Sequence, residues 1–149
     1  MILPAQTIRQ IKPITPFCER TKFEGMSYGL SAAGYDIRIA EGWLLFPNEF
    51  KLASSIEEFN IPDDVLAYVK DKSTWARQGL CVQNTVIEPG WKGYLTLELT
   101  NHGTLPLKFK IGMPIAQIIF HRLEAPTEQP YDGKYQHQPA GAQEPIFEK

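Results

Sequence analysis

The chain has 149 residues, 43% of them hydrophobic and 21% charged, which suits one soluble domain whose core is large enough to need no disulfide or metal staple. Its formal net charge is −2, so no global basic field recruits nucleic acid, and any anionic ligand must be held by local charges. Cys18 and Cys81 form no CxxC pair or metal-ligand spacing, and no apolar run approaches ~20 residues, which fits a reducing cytoplasmic setting without a membrane span.

The opening MILPAQTIRQIKPITPF lacks the basic-then-apolar layout of a signal peptide, and TIRQIKP reads as a short helix stopped by Pro13. Beyond it, prolines and glycines separate short segments rich in Val, Ile, Leu, Tyr and Thr: YDIRIA, WLLFP, VLAYVK, GYLTLELTN, LPLKFK and PIAQIIFHRL. This spacing predicts an all-β sandwich or barrel. Within LSAAGYDIRI, Gly34 fits a backbone that only glycine tolerates. Asp36 is either a turn residue or a carboxylate near bound phosphate and its Mg2+.

After VLAYVK, the segment DKSTWARQG predicts a second short helix with Ser73 as N-cap and Gly79 as its stop. Lys72, Ser73, Thr74 and Arg77 bring two cations and two hydroxyls to the helix start. Such a set is commonly a capped surface helix. Its functional reading is a phosphate cradle in which Ser73 and Arg77 also reach toward a reacting group.

The stretch IEPGWKGYLTLEL reads as a turn followed by a strand, with Glu88 in the turn and Glu98 on the strand. By the strand period of two, Leu95, Leu97 and Leu99 share one face, and Thr96 and Glu98 share the other. Glu98 is either a solvated residue of an edge strand or a general acid/base on a rigid support, where partial burial raises its proton affinity. His102 and His121 read as structural or surface residues, and His137 is only weakly suggestive.

After Ala125 the chain turns polar and loses periodicity, in PTEQPYDGKYQHQPAGAQEPIFEK. A tail of this kind is disordered or orders over a ligand, so the expectation is a single domain over 1–149 with a flexible lid at about 126–149. The sequence contains no HxE with PCxxC, no GxxxxGK[ST], no GxSxG and no HExxH. Water activated by a protein-bound zinc is therefore disfavoured.

Taken in order, SAAGYDIRI, KDKSTWARQGL, IEPGWKGYLTLELTNHGTLPLKFKIGMPIAQIIF and PYDGKYQHQ closely resemble the dCTP deaminases of the dCTP deaminase/dUTPase superfamily, from about Ser31 to about Gln138. The resemblance implies a distorted jelly-roll β subunit assembled as a homotrimer, with nucleotide sites where subunits meet. It implies zinc-independent hydrolysis of the 4-amino group of dCTP to dUTP and ammonia. Glu98 matches the proton-shuttling glutamate, Ser73 a residue that holds the attacking water, and Arg77 one that positions both.

The same resemblance places Lys72, Ser73 and Thr74 on the triphosphate, joined by Lys134 and Gln138 from the tail, with Tyr131 near the sugar or phosphates. Trp91 matches the aromatic residue packed on the deoxyribose, and Glu88 stands where an aspartate usually meets the 3′-hydroxyl. Mg2+ rides on the triphosphate, with Asp36 near it. Asn84 departs from a Thr-Ala pair common at Gln83 and Asn84, so a modified cytosine or another phosphorylation level stays open. The chain is shorter than typical deaminases, and compact superfamily members occur in phages, so a bacterial or phage-infected cytoplasm is the expected setting.

Two rivals share the fold. A dUTP diphosphatase, alone or combined with deamination, finds support in VIEPGWKGY, but Glu88 replaces its aspartate, DKSTWAR replaces a GRSSG-like segment, and a glycine-rich RGxxGFGSTG arm is absent. A non-catalytic nucleotide-binding trimer has no use for Ser73, Arg77, Glu98 and the tail lysine together.

Overall fold

The computed structural model describes all residues, Met1–Lys149. Its order is α1 (Ala5–Ile11), β1 (Ile14–Thr15), β2 (Thr21–Phe23), β3 (Met26–Ser31), β4 (Gly34–Arg38), β5 (Leu44–Leu45), β6 (Phe50–Asn60), β7 (Val65–Asp71), α2 (Ser73–Ala76), β8 (Leu80–Val82), β9 (Val86–Ile87), β10 (Lys92–Asn101), β11 (Leu107–Lys108) and β12 (Pro114–Arg122). The all-β expectation holds, and no helix is long and apolar enough to cross a membrane.

Three sheets form, with strand orders β1-β6-β10-β8, β2-β3-β4-β12-β7-β9 and β11-β5. Every pairing in them is antiparallel, an arrangement in which a strand can bury one face and wet the other. On β10, Leu95, Leu97 and Leu99 enter the core, while Tyr94, Thr96, Glu98 and Thr100 stay half-exposed, as the period of two requires. Ile115, Ile118 and Phe120 of β12 belong to the same contiguous core, which joins the larger sheets into a jelly-roll-like sandwich.

β6, the longest strand, is one the sequence patterning does not single out. Its register against β10 steps from Tyr94↔Glu58 to Thr96↔Ser54, so Ser55, Ile56 and Glu57 bulge opposite Leu95. The bulge buries polar groups and so breaks the alternation, but each finds a partner. Ser55 Oγ accepts the Leu95 N–H at 2.9 Å, and both Glu57 oxygens accept from Arg38, from its Nε at 2.7 Å and its backbone N–H at 2.9 Å. Burial pushes the Glu57 carboxyl above its usual range, and these bonds from Arg38 oppose the shift.

The two short helices appear near where expected, with two corrections at the second, which ends at Ala76 rather than running to Gly79. α1 ends just before Pro13, with Lys12 left-handed at φ 44° as its C-cap. In α2, Ser73 is the first helical residue and the N-cap is Lys72, which offers no side-chain cap. α2 is one turn long, so its dipole adds little, and any phosphate role of this segment falls to its side chains.

Candidate active site

A cavity of about 620 Å³ opens beside β10. Leu52 of β6, Thr96 and Glu98 of β10, Asn84 and Glu88 of the connections around β9, and Trp91 line it from the sheet side. Tyr131, Tyr135, Gln138, Gln143 and Glu144 line it from the tail. Glu98 thus stands on a rigid strand with its side chain at a partly desolvated wall. Burial raises its pKa above the ordinary carboxylate range, the direction a group needs if it is to take and return a proton near neutrality.

The tail is seated on the strand that carries this carboxylate. The Tyr94 N–H donates to Gln138 O at 3.0 Å, and the His137 N–H donates to Lys92 O at 2.8 Å. Gln138 Nε2 donates to both Tyr94 O and Thr96 Oγ1 at 2.8 Å, and the Gln143 N–H reaches the same hydroxyl at 3.1 Å. Gly93 makes the approach feasible: with φ at 150°, a Cβ there would lie 2.7 Å from Gln138 N. These contacts seat His137, Gln138 and Gln143 of the tail along β10.

Trp91 serves both as a core residue and as cavity wall. It is buried, its ring lies 5.9 Å from that of Phe59, and its indole N–H donates to Tyr135 O at 2.8 Å. Asn84 lines the cavity, but its amide is already engaged with β10: Oδ1 accepts the Glu98 N–H at 3.0 Å, and Nδ2 donates to Thr96 O at 2.7 Å.

The remaining expected residues lie elsewhere within the chain. Ser73, Thr74 and Arg77 are exposed around α2 and do not line the cavity. Lys72 is largely buried and pairs with Asp36 at 2.8 Å, so within one chain that cation and that carboxylate satisfy each other. Lys134 is exposed, 5.4 Å from the Tyr135 ring centre. The cavity wall therefore contains Glu88, Glu98 and Glu144 but no lysine or arginine.

Thr96, Leu52, Tyr135, Gln143 and Glu144 are among the lining residues that were not singled out as ligand contacts. Of these, only Thr96 carries a signal in the sequence, since it shares the polar face of its strand with Glu98. No three His, Cys, Asp or Glu side chains gather as a metal-ligand set.

A dCTP deaminase-like family pattern matches residues 30–123. The chain belongs to the dCTP deaminase-like family. The dCTP deaminase of Campylobacter concisus is 38% identical, over 85% of this chain and 86% of that protein. Among solved structures, the 2′-deoxycytidine 5′-triphosphate deaminase of Agrobacterium tumefaciens superposes with a TM-score of 0.67 at 18% identity, covering 83% of this chain and 49% of that one. The native dUTPase of EIAV superposes with a TM-score of 0.57 at 25% identity, covering 68% of this chain and 84% of that one. In this chain, Glu98, Glu88, Trp91, Asn84, Tyr131 and Gln138 meet in one cavity, and Ser73, Thr74 and Arg77 around α2 are exposed outside it.

Proposed function

We propose that the protein hydrolyses the exocyclic amine of dCTP, giving dUTP and ammonia, at the Glu98 cavity. The observation that carries this reading is Glu98 itself: a half-exposed carboxylate with a raised pKa, at the wall of a cavity beside an aromatic floor, in a chain of the dCTP deaminase-like family. Ionised Glu98 takes one proton from a water as the oxygen bonds to C4 of the cytosine, and passes that proton to N3. Glu98 then takes the proton of the new C4 hydroxyl and passes it to the 4-amino group, the C4–N4 bond breaks, and ammonia departs as the C4 carbonyl forms. Trp91 packs on the deoxyribose, Glu88 accepts from the 3′-hydroxyl, and Tyr131 and Gln138 close the tail over the nucleotide.

A triphosphate needs cations, and this cavity has three carboxylates and none. The exposed Arg77 supplies a cation, and Ser73 and Thr74 supply hydroxyls, if they come from a second copy of the chain, which supports a homotrimer with its sites at subunit contacts. In that arrangement Ser73 holds the water and Arg77 balances the charge of Glu98. Lys72 and Lys134 contact phosphates, and Mg2+ arrives on the triphosphate, with Asp36 acting through Lys72. The route requires no zinc, because Glu98 carries the protons.

The rival reading, release of pyrophosphate from dUTP, draws on Glu88 at the cavity wall and on the dUTPase-like fold. The deciding test incubates the protein and Mg2+ separately with dCTP, 5-substituted dCTPs, dCMP and dUTP, and measures ammonia and pyrophosphate. Deamination predicts ammonia and dUTP from dCTP, lost in Glu98→Gln with nucleotide affinity kept within about three-fold. Pyrophosphate without ammonia, or an active Glu98→Gln, overturns it.

A further inference from the structure

Away from β6, the edge of β10 is paired in three pieces. The tail covers Lys92 to Tyr94 through His137 and Gln138. β8 covers Leu99 to Asn101, and the Gln83 N–H adds a bond to Glu98 O at 2.8 Å. Between these two backbones the chain departs, because β9 pairs with β7 in the other large sheet. The Thr96 carbonyl and the Glu98 N–H would then face the cavity edge without a strand partner. Asn84 meets both, donating to the first at 2.7 Å and accepting from the second at 3.0 Å.

We infer that Asn84 is a positioning residue: its side-chain amide replaces the missing strand and fixes the backbone of Glu98, and so the aim of the catalytic carboxyl. The inference rests on the reading of Glu98 as the proton carrier. An asparagine suits the position because its amide offers a donor and an acceptor side by side, as a backbone peptide does. One Oδ1 lone pair and one N–H are engaged on β10, on either side of Leu97. Through these two bonds Asn84 acts on the reaction by way of the Glu98 backbone. Displacement of a proton carrier by a fraction of an ångström lowers turnover without weakening the binding of a large nucleotide.

The test compares Asn84→Ala and Asn84→Asp with the parent protein, following kcat and KM for dCTP, the pH profile of kcat/KM, and backbone amide exchange at Glu98. Asn84→Ala is expected to lower kcat about ten-fold or more, with KM within about two-fold, and to speed exchange at Glu98. Asn84→Asp keeps the acceptor for the Glu98 N–H but adds a negative charge beside the carboxyl. It is expected to retain exchange protection while moving the acid limb of kcat/KM to higher pH.

Parent values of kcat and of Glu98 exchange in Asn84→Ala overturn the inference. So does a raised KM at unchanged kcat, which would make Asn84 a base contact. If Asn84→Ala does not fold, an unmoved acid limb in Asn84→Asp overturns it alone. An active Glu98→Gln removes the proton-carrier reading and this inference together; an inactive Glu98→Gln beside parent-like Asn84 variants removes only the inference.

Discussion

Gln138 Nε2 donates to Thr96 Oγ1 at 2.8 Å, which fastens the tail to β10 two residues from Glu98, on the same face of the strand. The hydroxyl of Thr96 also accepts the Gln143 N–H, so one side chain anchors two points of the tail. Removing the residues after Tyr131 is therefore expected to lower turnover of dCTP by at least about ten-fold while leaving the oligomer intact. Thr96→Val, which keeps the shape but removes the acceptor, should show a milder loss of the same kind. Steady-state kinetics beside light scattering distinguishes the outcomes, and a truncated protein of full activity contradicts the lid.

Glu98 links activity and stability to pH in opposite directions. Its folded pKa is raised by burial above the unfolded value, so the folded state holds the proton more tightly, and its contribution to stability is lost as pH rises through the folded pKa. At neutral pH the ionised carboxyl therefore costs stability, and Glu98→Gln should melt higher than the parent while being inactive. In the proposed mechanism activity runs the other way, because only the ionised form accepts the proton of water. The acid limb of kcat/KM should lie above the usual glutamate value. A Glu98→Gln protein that melts lower at pH 7 contradicts the account of its burial.

The Lys72–Asp36 pair is nearly buried at both ends, so breaking it strands a charge. Asp36→Asn is expected to cost roughly 3 kcal/mol of stability, seen as a melting temperature lower by several degrees. Because Lys72 adjoins Ser73, the same variant should raise KM for dCTP more than it lowers kcat. An unchanged melting temperature would mean that the pair is solvated and weak.

The strands with clean alternation were legible from residue type: β10, β7 and β12 show it in Leu95, Leu97 and Leu99, in Val65, Ala67 and Val69, and in Ile118 and Phe120. β6 was not, because its bulge turns Ser55 and Glu57 inward, where Leu95 and Arg38 satisfy them; a pattern of buried polar residues reads as surface until its partners are known. Resemblance and local pattern together picked out Glu98, Trp91, Gln138 and Asn84 of the cavity. They could not show that the amide of Asn84 is engaged with β10, since that follows from where β8 and β9 part. Nor could periodicity reveal that Lys72 meets Asp36, which lies on a different strand.

A cavity without cations and an exposed Arg77 on the same chain make the most direct test one of shared sites. Glu98→Gln and Arg77→Ala are each expected to be inactive alone. Unfolded together in equal amounts and refolded, they should form mixed oligomers in which some sites draw an intact Glu98 from one subunit and an intact Arg77 from another. Random assembly then predicts ammonia release from dCTP at about a quarter of the parent rate. Mixed oligomers that release no ammonia, while the parent protein treated alike does, would contradict a site shared between subunits.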